Sequence, residues 1–202
     1  FANQGLVICV DVVGRGPWAG PVMAGAVWIN PALSSSLPSE ITDSKKLTPS
    51  KREYIHKALT SLNIAMAVGQ ADVEEIDRLN ILNATFLAME RACINLQEKM
   101  GGNIQTILVD GNRKPIFKVM SEQINRIPII NGDNISLSIA AASIIAKQIR
   151  DSYMCNLHSR HPEYGFDRHK GYGTKFHRLA LAEFGPTPHH RSSFAPIRAL
   201  KS

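Results

Sequence analysis

The stretch Leu6-Val7-Ile8-Cys9-Val10-Asp11-Val12-Val13-Gly14-Arg15-Gly16-Pro17-Trp18-Ala19-Gly20-Pro21-Val22 decides how the chain reads. A run of β-branched and apolar residues ends at Asp11, Gly14 to Pro21 brings three glycines and two prolines into a loop, and a second apolar run, Val22 to Ile29, follows. The pattern predicts strand, special loop, strand. Aspartate is disfavoured inside strands, so a carboxylate in this run, with Gly14-Arg15-Gly16 close behind it, needs a reason beyond packing. One reading is a carboxylate on a rigid strand facing a pocket lined by backbone. The other is a strand that ends in an Asp-initiated turn.

Outward from this stretch, two more carboxylates follow apolar runs. Ile104 to Val109 predicts a strand that delivers Asp110 at its end, and Pro128-Ile129-Ile130 predicts a brief one ending near Gly132-Asp133. Thr48 as N-cap with Pro49 behind it opens a helix running to about Leu62. Ile64 to Val68 reads as a third strand, and a short helix starts at Ala71-Asp72. Residues 80 to 99 carry the strongest helical stripe, stopped by Gly101-Gly102. A second long helix, Leu137 to about His158, contains Ala140-Ala141-Ala142, which suggests close packing on a sheet. Pro162 to Gly173 reads as loop, Thr174 to Glu183 as helix, and Ser193 onward as a last short helix. Three converging carboxylates would repel one another unless cations sat among them, and oxygen ligands of this kind suit Mg²⁺ or Mn²⁺.

The chain has 202 residues and a net charge of +6, unevenly spread. Residues 147 to 202 hold ten Lys/Arg against four Asp/Glu, so the entire excess is C-terminal, together with six of the seven histidines. Such a surface suits phosphates and nucleic acid. Cys9, Cys93 and Cys155 are widely spaced and odd in number, which predicts buried free thiols in a reducing cytosol rather than a disulfide framework. No apolar run approaches the length of a membrane span and no signal-peptide pattern is present, so a cytoplasmic protein without a membrane partner is expected.

Asp11 to Pro21 resembles the N-terminal signature of ribonuclease HII, the type 2 ribonucleases H, which reads Asp-Glu-x-Gly-Arg-Gly-Pro-x-Ala-Gly-Pro. One fixed position departs: Val12 stands where the family has a metal-site glutamate. The resemblance recurs in Thr42 to Leu47, Leu108 to Gly111, Gly132-Asp133, Ala140 to Lys147, His169 to Thr174 and His190 to Phe194. It implies an α/β, ribonuclease H-like fold: a mixed five-stranded sheet flanked by helices, with a small helical C-terminal region. Residues 1–158 would form the catalytic domain, and residues 159–202 a basic region completing the substrate site.

The same resemblance implies a metal-dependent endonuclease that hydrolyses the RNA strand of RNA–DNA hybrids. It would also incise 5′ of ribonucleotides embedded in duplex DNA, leaving 5′-phosphate and 3′-hydroxyl ends. Asp11, Asp110 and Asp133 would be the catalytic and metal-holding residues. Gly14-Arg15-Gly16 would read the ribose hydroxyl, and Tyr172 would pack on the sugar of the following deoxynucleotide. Lys45, Lys46, Lys147, Arg150, Lys170 and Arg191 are candidate phosphate contacts, with helix packing or ion pairing as the alternative for Lys147 and Arg150. The chain is expected to act as a monomer. Because valine cannot ligate a metal, weak or absent cleavage is expected of this sequence, and the rival reading is a protein that binds ribonucleotide-containing duplexes without cutting them efficiently. An unrelated α/β enzyme with a small-molecule substrate fits the basic C-terminus poorly.

Overall fold

The structure, a computed structural model, describes residues 5–200; the outer ends of the two expected segments, 1–4 and 201–202, lie outside them. Strands β1 (Leu6–Val13), β2 (Val22–Trp28), β3 (Ala65–Ala71), β4 (Ile104–Asp110) and β5 (Asn125–Ile129) form one sheet in the order β3-β2-β1-β4-β5. β1 pairs antiparallel with β2 and parallel with β4, and β4 is parallel to β5, so the sheet is mixed as expected. The first strand runs past Asp11 to Val13, because Asp11, Val12 and Val13 stay paired with Gly25, Ala24 and Met23.

Helix α1 (Pro49–Ser61) starts where Thr48 accepts a hydrogen bond from the Lys51 N–H. Helix α2 (Val73–Met100) is opened by a capping box: Asp72 accepts from the Glu75 N–H and Glu75 from the Asp72 N–H. The two helices expected here are one element broken at Asn80 (φ 66°, ψ 163°), whose Oδ1 accepts from the Leu82 and Asn83 N–H groups and so caps the second part. Gly101, at φ 63°, ends it in the left-handed region. A short helix α3 (Gly132–Ile135) precedes α4 (Leu137–Arg160). The segment expected as loop, 162–173, holds a 3-10 turn (Pro162–Tyr164) and helix α5 (Phe166–His169); α6 (Lys175–Phe184) and α7 (Ala195–Arg198) follow.

Each sheet face buries its own apolar layer. Ile8, Val10, Ile107 and Val109 pack with Phe86, Met89, Cys93 and Leu96 of α2, while Val27 packs with Ile55 and Leu59 of α1 and with Ala140, Ala141 and Ile144 of α4. The alanine run lets α4 sit close to the sheet: a Cβ on Gly25 would lie 2.3 Å from the Ala142 carbonyl oxygen, so β2 needs glycine there. A third cluster joins Ala19 of the β1–β2 loop and Met154 of α4 to Tyr164, Phe166, Leu181 and Ile197, so the C-terminal region packs onto the Gly-rich loop. Cys9 and Cys93 are buried free thiols, but Cys155 is exposed, correcting that expectation. It lies on the outer side of α4, where Lys170 Nζ donates to its sulfur at 3.2 Å.

Candidate active site

Parallel pairing of β1, β4 and β5 places the C-terminal ends of all three strands on one edge of the sheet. Val10 lies opposite Val109, and both face α2; one residue further, Asp11 and Asp110 therefore share the opposite face on neighbouring strands. Asp133 follows β5 on α3, tied back because the Gly132 N–H donates to Asp110 Oδ1 at 2.8 Å.

Asp11 is 7% exposed, and its Oδ1 accepts the Val12 N–H at 2.6 Å. Burial pushes its pKa up to about 7; the Asp110 and Asp133 charges push the same way, while a hydrogen bond from Ser143 works against them. Asp133 also titrates above the ordinary carboxylate range, first through burial and then through the charges of Asp110 and Asp43. The three carboxylates are thus electrostatically linked. Among the described residues, however, no three His, Cys, Asp or Glu side chains are grouped closely enough to hold a metal ion. Val12 is half-buried; alternation along β1 turns it toward the layer under α2, yet it also lines the same cavity as Asp110.

That cavity, about 690 Å³, collects most of the residues expected from the sequence, namely Val12, Gly14, Arg15, Gly16, Lys45, Asp110, Lys147, Arg150, Lys170 and Tyr172, whereas Asp11, Asp133, Lys46 and Arg191 are not part of its lining. Gly16 and Tyr172 face each other, since a Cβ on Gly16 would lie 3.5 Å from the tyrosine ring, which is itself 49% exposed and open to a ligand. Lys45 follows Asp43, whose Oδ1 accepts its N–H at 2.9 Å. Lys46 turns to Asn134, donating to Oδ1 at 2.7 Å, beside Asp133. Lys147 pairs with Asp151 at 2.6 Å, the ion-pair alternative foreseen for it, and Lys170 Nζ donates to the Asp167 carbonyl.

Arg191 departs from its expected role. It is fully buried, and its Nε, Nη1 and Nη2 all donate to backbone carbonyls of Gly14, Arg15 and Gly20, so it is spent on the loop rather than presented to phosphate. Arg150 is equally buried and bonds to the carbonyls of Ala19, Pro21 and Lys170, which is packing rather than phosphate contact. Sequence reasoning missed Arg52, Asp151 and Asp77. Arg52 donates to the Ser44 and Leu47 carbonyls and to Asp151 Oδ2 at 3.1 Å, shaping the loop that carries Lys45. Asp77 accepts from the Ser192 and Ser193 N–H groups and the Ser193 hydroxyl, anchoring the segment that bears Arg191. The Lys147–Asp151 spacing of four on one helix was a readable signal for Asp151; the other two residues had none.

Comparisons agree with this architecture. A profile of the family "Ribonuclease HII" matches residues 8–197. The ribonuclease HII of Paramagnetospirillum magneticum is 48% identical over 198 residues, covering 98% of this chain and 94% of that protein. The ribonuclease H2 of Pyrococcus horikoshii superposes with a TM-score of 0.72 at 24% identity, covering 96% of both chains. Bst-RNase HIII, solved in complex with Mn²⁺, superposes at 0.75 with 18% identity, covering 99% of this chain and 70% of its own; at such identities the likeness speaks for the fold alone. A profile match over nearly the whole chain, with close to half of the residues shared with a relative of equal extent, leaves one conclusion: the chain belongs to the ribonuclease HII family of ribonuclease H enzymes.

Proposed function

We propose that this protein hydrolyses the RNA strand of RNA–DNA hybrids and incises 5′ of ribonucleotides embedded in duplex DNA, leaving 5′-phosphate and 3′-hydroxyl ends. The observation that carries the reading is the meeting of Asp110, at the end of its strand, the Gly14-Arg15-Gly16 backbone and the Tyr172 ring around one cavity. Backbone groups of the loop would contact a 2′-hydroxyl, which both donates and accepts and which DNA lacks. Tyr172 would pack on the neighbouring sugar. Lys45, Lys46 and Lys170 bring positive charge suited to the flanking phosphates, and Lys147, although paired with Asp151, lines the same cavity and would contact a phosphate only by sharing that pair. Residues 159–202 supply Tyr172 and Lys170 and so complete the substrate site.

The donor chemistry fits a hard divalent cation, Mg²⁺ or Mn²⁺: the ligands available are carboxylate oxygens, and a buried Asp11 that keeps its proton to about pH 7 gains a better partner in a cation. Asp11, Asp110 and Asp133 would hold it. Bound there, such an ion would lower the pKa of an attacking water and stabilise the charge that develops on the leaving 3′-oxygen. Since no three acidic side chains converge as they stand, and position 12 adds no carboxylate, much of the ion's coordination would fall to water.

The second reading, binding without efficient cleavage, rests on Val12. A cleavage assay on a DNA duplex holding one ribonucleotide, with Mn²⁺ and with Mg²⁺, separates the two. Slow incision 5′ of the ribonucleotide is expected, because Val12 supplies no carboxylate. Tight binding with no product in either metal would replace the first reading with the second, and neither binding nor cleavage would sink both.

Among the described residues no helix is long and apolar enough to cross a membrane.

A further inference from the structure

Arg150 and Arg191 are 1% and 0% exposed, the two largest of the fully buried side chains. Neither forms an ion pair with a carboxylate among the described residues, although burial leaves their pKa values at about 10 and about 9 and both are therefore charged at neutral pH. A buried charge without a counter-ion is unfavourable unless its donors are satisfied. Here they are satisfied by backbone carbonyls of two segments only, Gly14 to Pro21 and Lys170. Arg191 Nη2 donates to Gly14 at 2.7 Å, Nη1 to Arg15 at 3.0 Å, and Nε and Nη2 to Gly20 at 2.9 and 2.8 Å. Arg150 Nε donates to Pro21 at 3.0 Å, Nη2 to Ala19 at 3.1 Å and Nη1 to Lys170 at 3.0 Å.

The consequence lies in peptide geometry. In a trans peptide the C=O of one residue and the N–H of the next point in opposite directions. Holding the Gly14 and Arg15 carbonyls against Arg191 therefore turns the Arg15 and Gly16 N–H groups away from the core, and neither meets an acceptor among the described residues. Two consecutive donors are left at the cavity wall that Gly14, Arg15 and Gly16 form, opposite Tyr172. Arg150 ties that loop to the segment bearing Tyr172, and it passes where a Cβ of Gly14 would stand: such a Cβ would lie 2.2 Å from its Nε. Gly14 also sits at φ +84°, so glycine is required on both counts.

We propose that Arg191 and Arg150 are positioning residues for ribose recognition: Arg191 aims the Arg15 and Gly16 N–H groups at a sugar oxygen of the substrate, and Arg150 sets their distance from Tyr172. The inference rests on the ribonucleotide-reading function proposed above. Lysine keeps the charge but concentrates its donors on one nitrogen, so Arg191→Lys cannot hold the Gly14, Arg15 and Gly20 carbonyls together.

The test measures fluorescence anisotropy in EDTA, with wild type and Arg191→Lys binding a duplex that contains one ribonucleotide and the same duplex in DNA. The ratio of the two affinities should fall about 10-fold in the variant, as for loss of one well-placed hydrogen bond. A folded variant that keeps the wild-type ratio, or loses affinity equally for both duplexes, overturns the inference. A wild type with no preference overturns the underlying reading instead. Amide hydrogen exchange in the wild type covers the case of a variant that fails to fold: the Arg15 and Gly16 amides should exchange fast in the free protein and be protected by the ribonucleotide duplex. Slow exchange in the free protein, or no added protection, refutes the assignment.

Discussion

Replacing Asp11 with asparagine should stabilise the metal-free protein at pH 8 and have progressively less effect as the pH is lowered. The unfolded chain releases this proton near pH 3.8, whereas burial and then the neighbouring carboxylates keep it on the folded protein until about pH 7. Between those values the folded state binds a proton that the unfolded state has lost, so the folded state loses ground as the pH rises through that window. At 1.36 kcal/mol per pH unit the accumulated cost is roughly 4 kcal/mol above pH 7. Asparagine removes the charge, keeps the shape and leaves an oxygen for the Val12 N–H, although its amide must find an acceptor near Ser143. A net gain of about 2–4 kcal/mol at pH 8 is expected, shrinking toward zero near pH 4. Urea denaturation in EDTA between pH 4 and pH 8 measures it. Added Mn²⁺ should stabilise the wild type and close the gap, because the variant lacks the anionic ligand. A gain independent of pH, or destabilisation at pH 8, would refute both the strained carboxylate and its place in a cation site.

Val12→Glu should tighten divalent-metal binding and raise cleavage by about 10-fold or more, given that changes in the surroundings of ligands alone commonly cost 10- to 100-fold; titration calorimetry with Mn²⁺ and turnover at saturating Mg²⁺ check it, and unchanged values would show that position 12 is no metal position. Tyr172→Ala should erode the preference for ribonucleotide-containing duplex more than the salt-dependent affinity for plain duplex, which phosphate contacts supply; equal losses would make the ring merely structural. The buried pair His177 and His190, whose Nε2 atoms lie 3.0 Å apart, titrates at about 4 and about 3, chiefly because burial disfavours the charged form. These groups take up protons near pH 6.5 only when unfolded, so stability should fall as the pH drops below that value. His190→Gln, tested by thermal melts from pH 7 to pH 4.5, should flatten that fall.

Local signals carried much of the architecture. Thr48-Pro49, the Asp72 and Glu75 box and Gly101 mark helix ends because capping involves residues three or four apart. Apolar runs marked the strands locally as well, and those of β1 and β4 carried Asp11 and Asp110 near their ends, while Asp133 stands on α3 beyond β5. The strand order, and the expectation that Asp11, Asp110 and Asp133 share one site, came from the family resemblance, since periodicity carries no information about which strands pair. What the tertiary structure alone decided is which charges line the cavity and which are buried on backbone carbonyls. Lys45 and Arg191 sit in equally polar, equally basic stretches, yet one lines the cavity and the other is fully buried. Arg191 reaches Gly20 and Gly14 across 171 and 177 residues of chain. Its role is set by carbonyls that come together only after α4 and the C-terminal segment have closed around the loop, and contacts of such separation leave no trace in the residues that neighbour them in sequence.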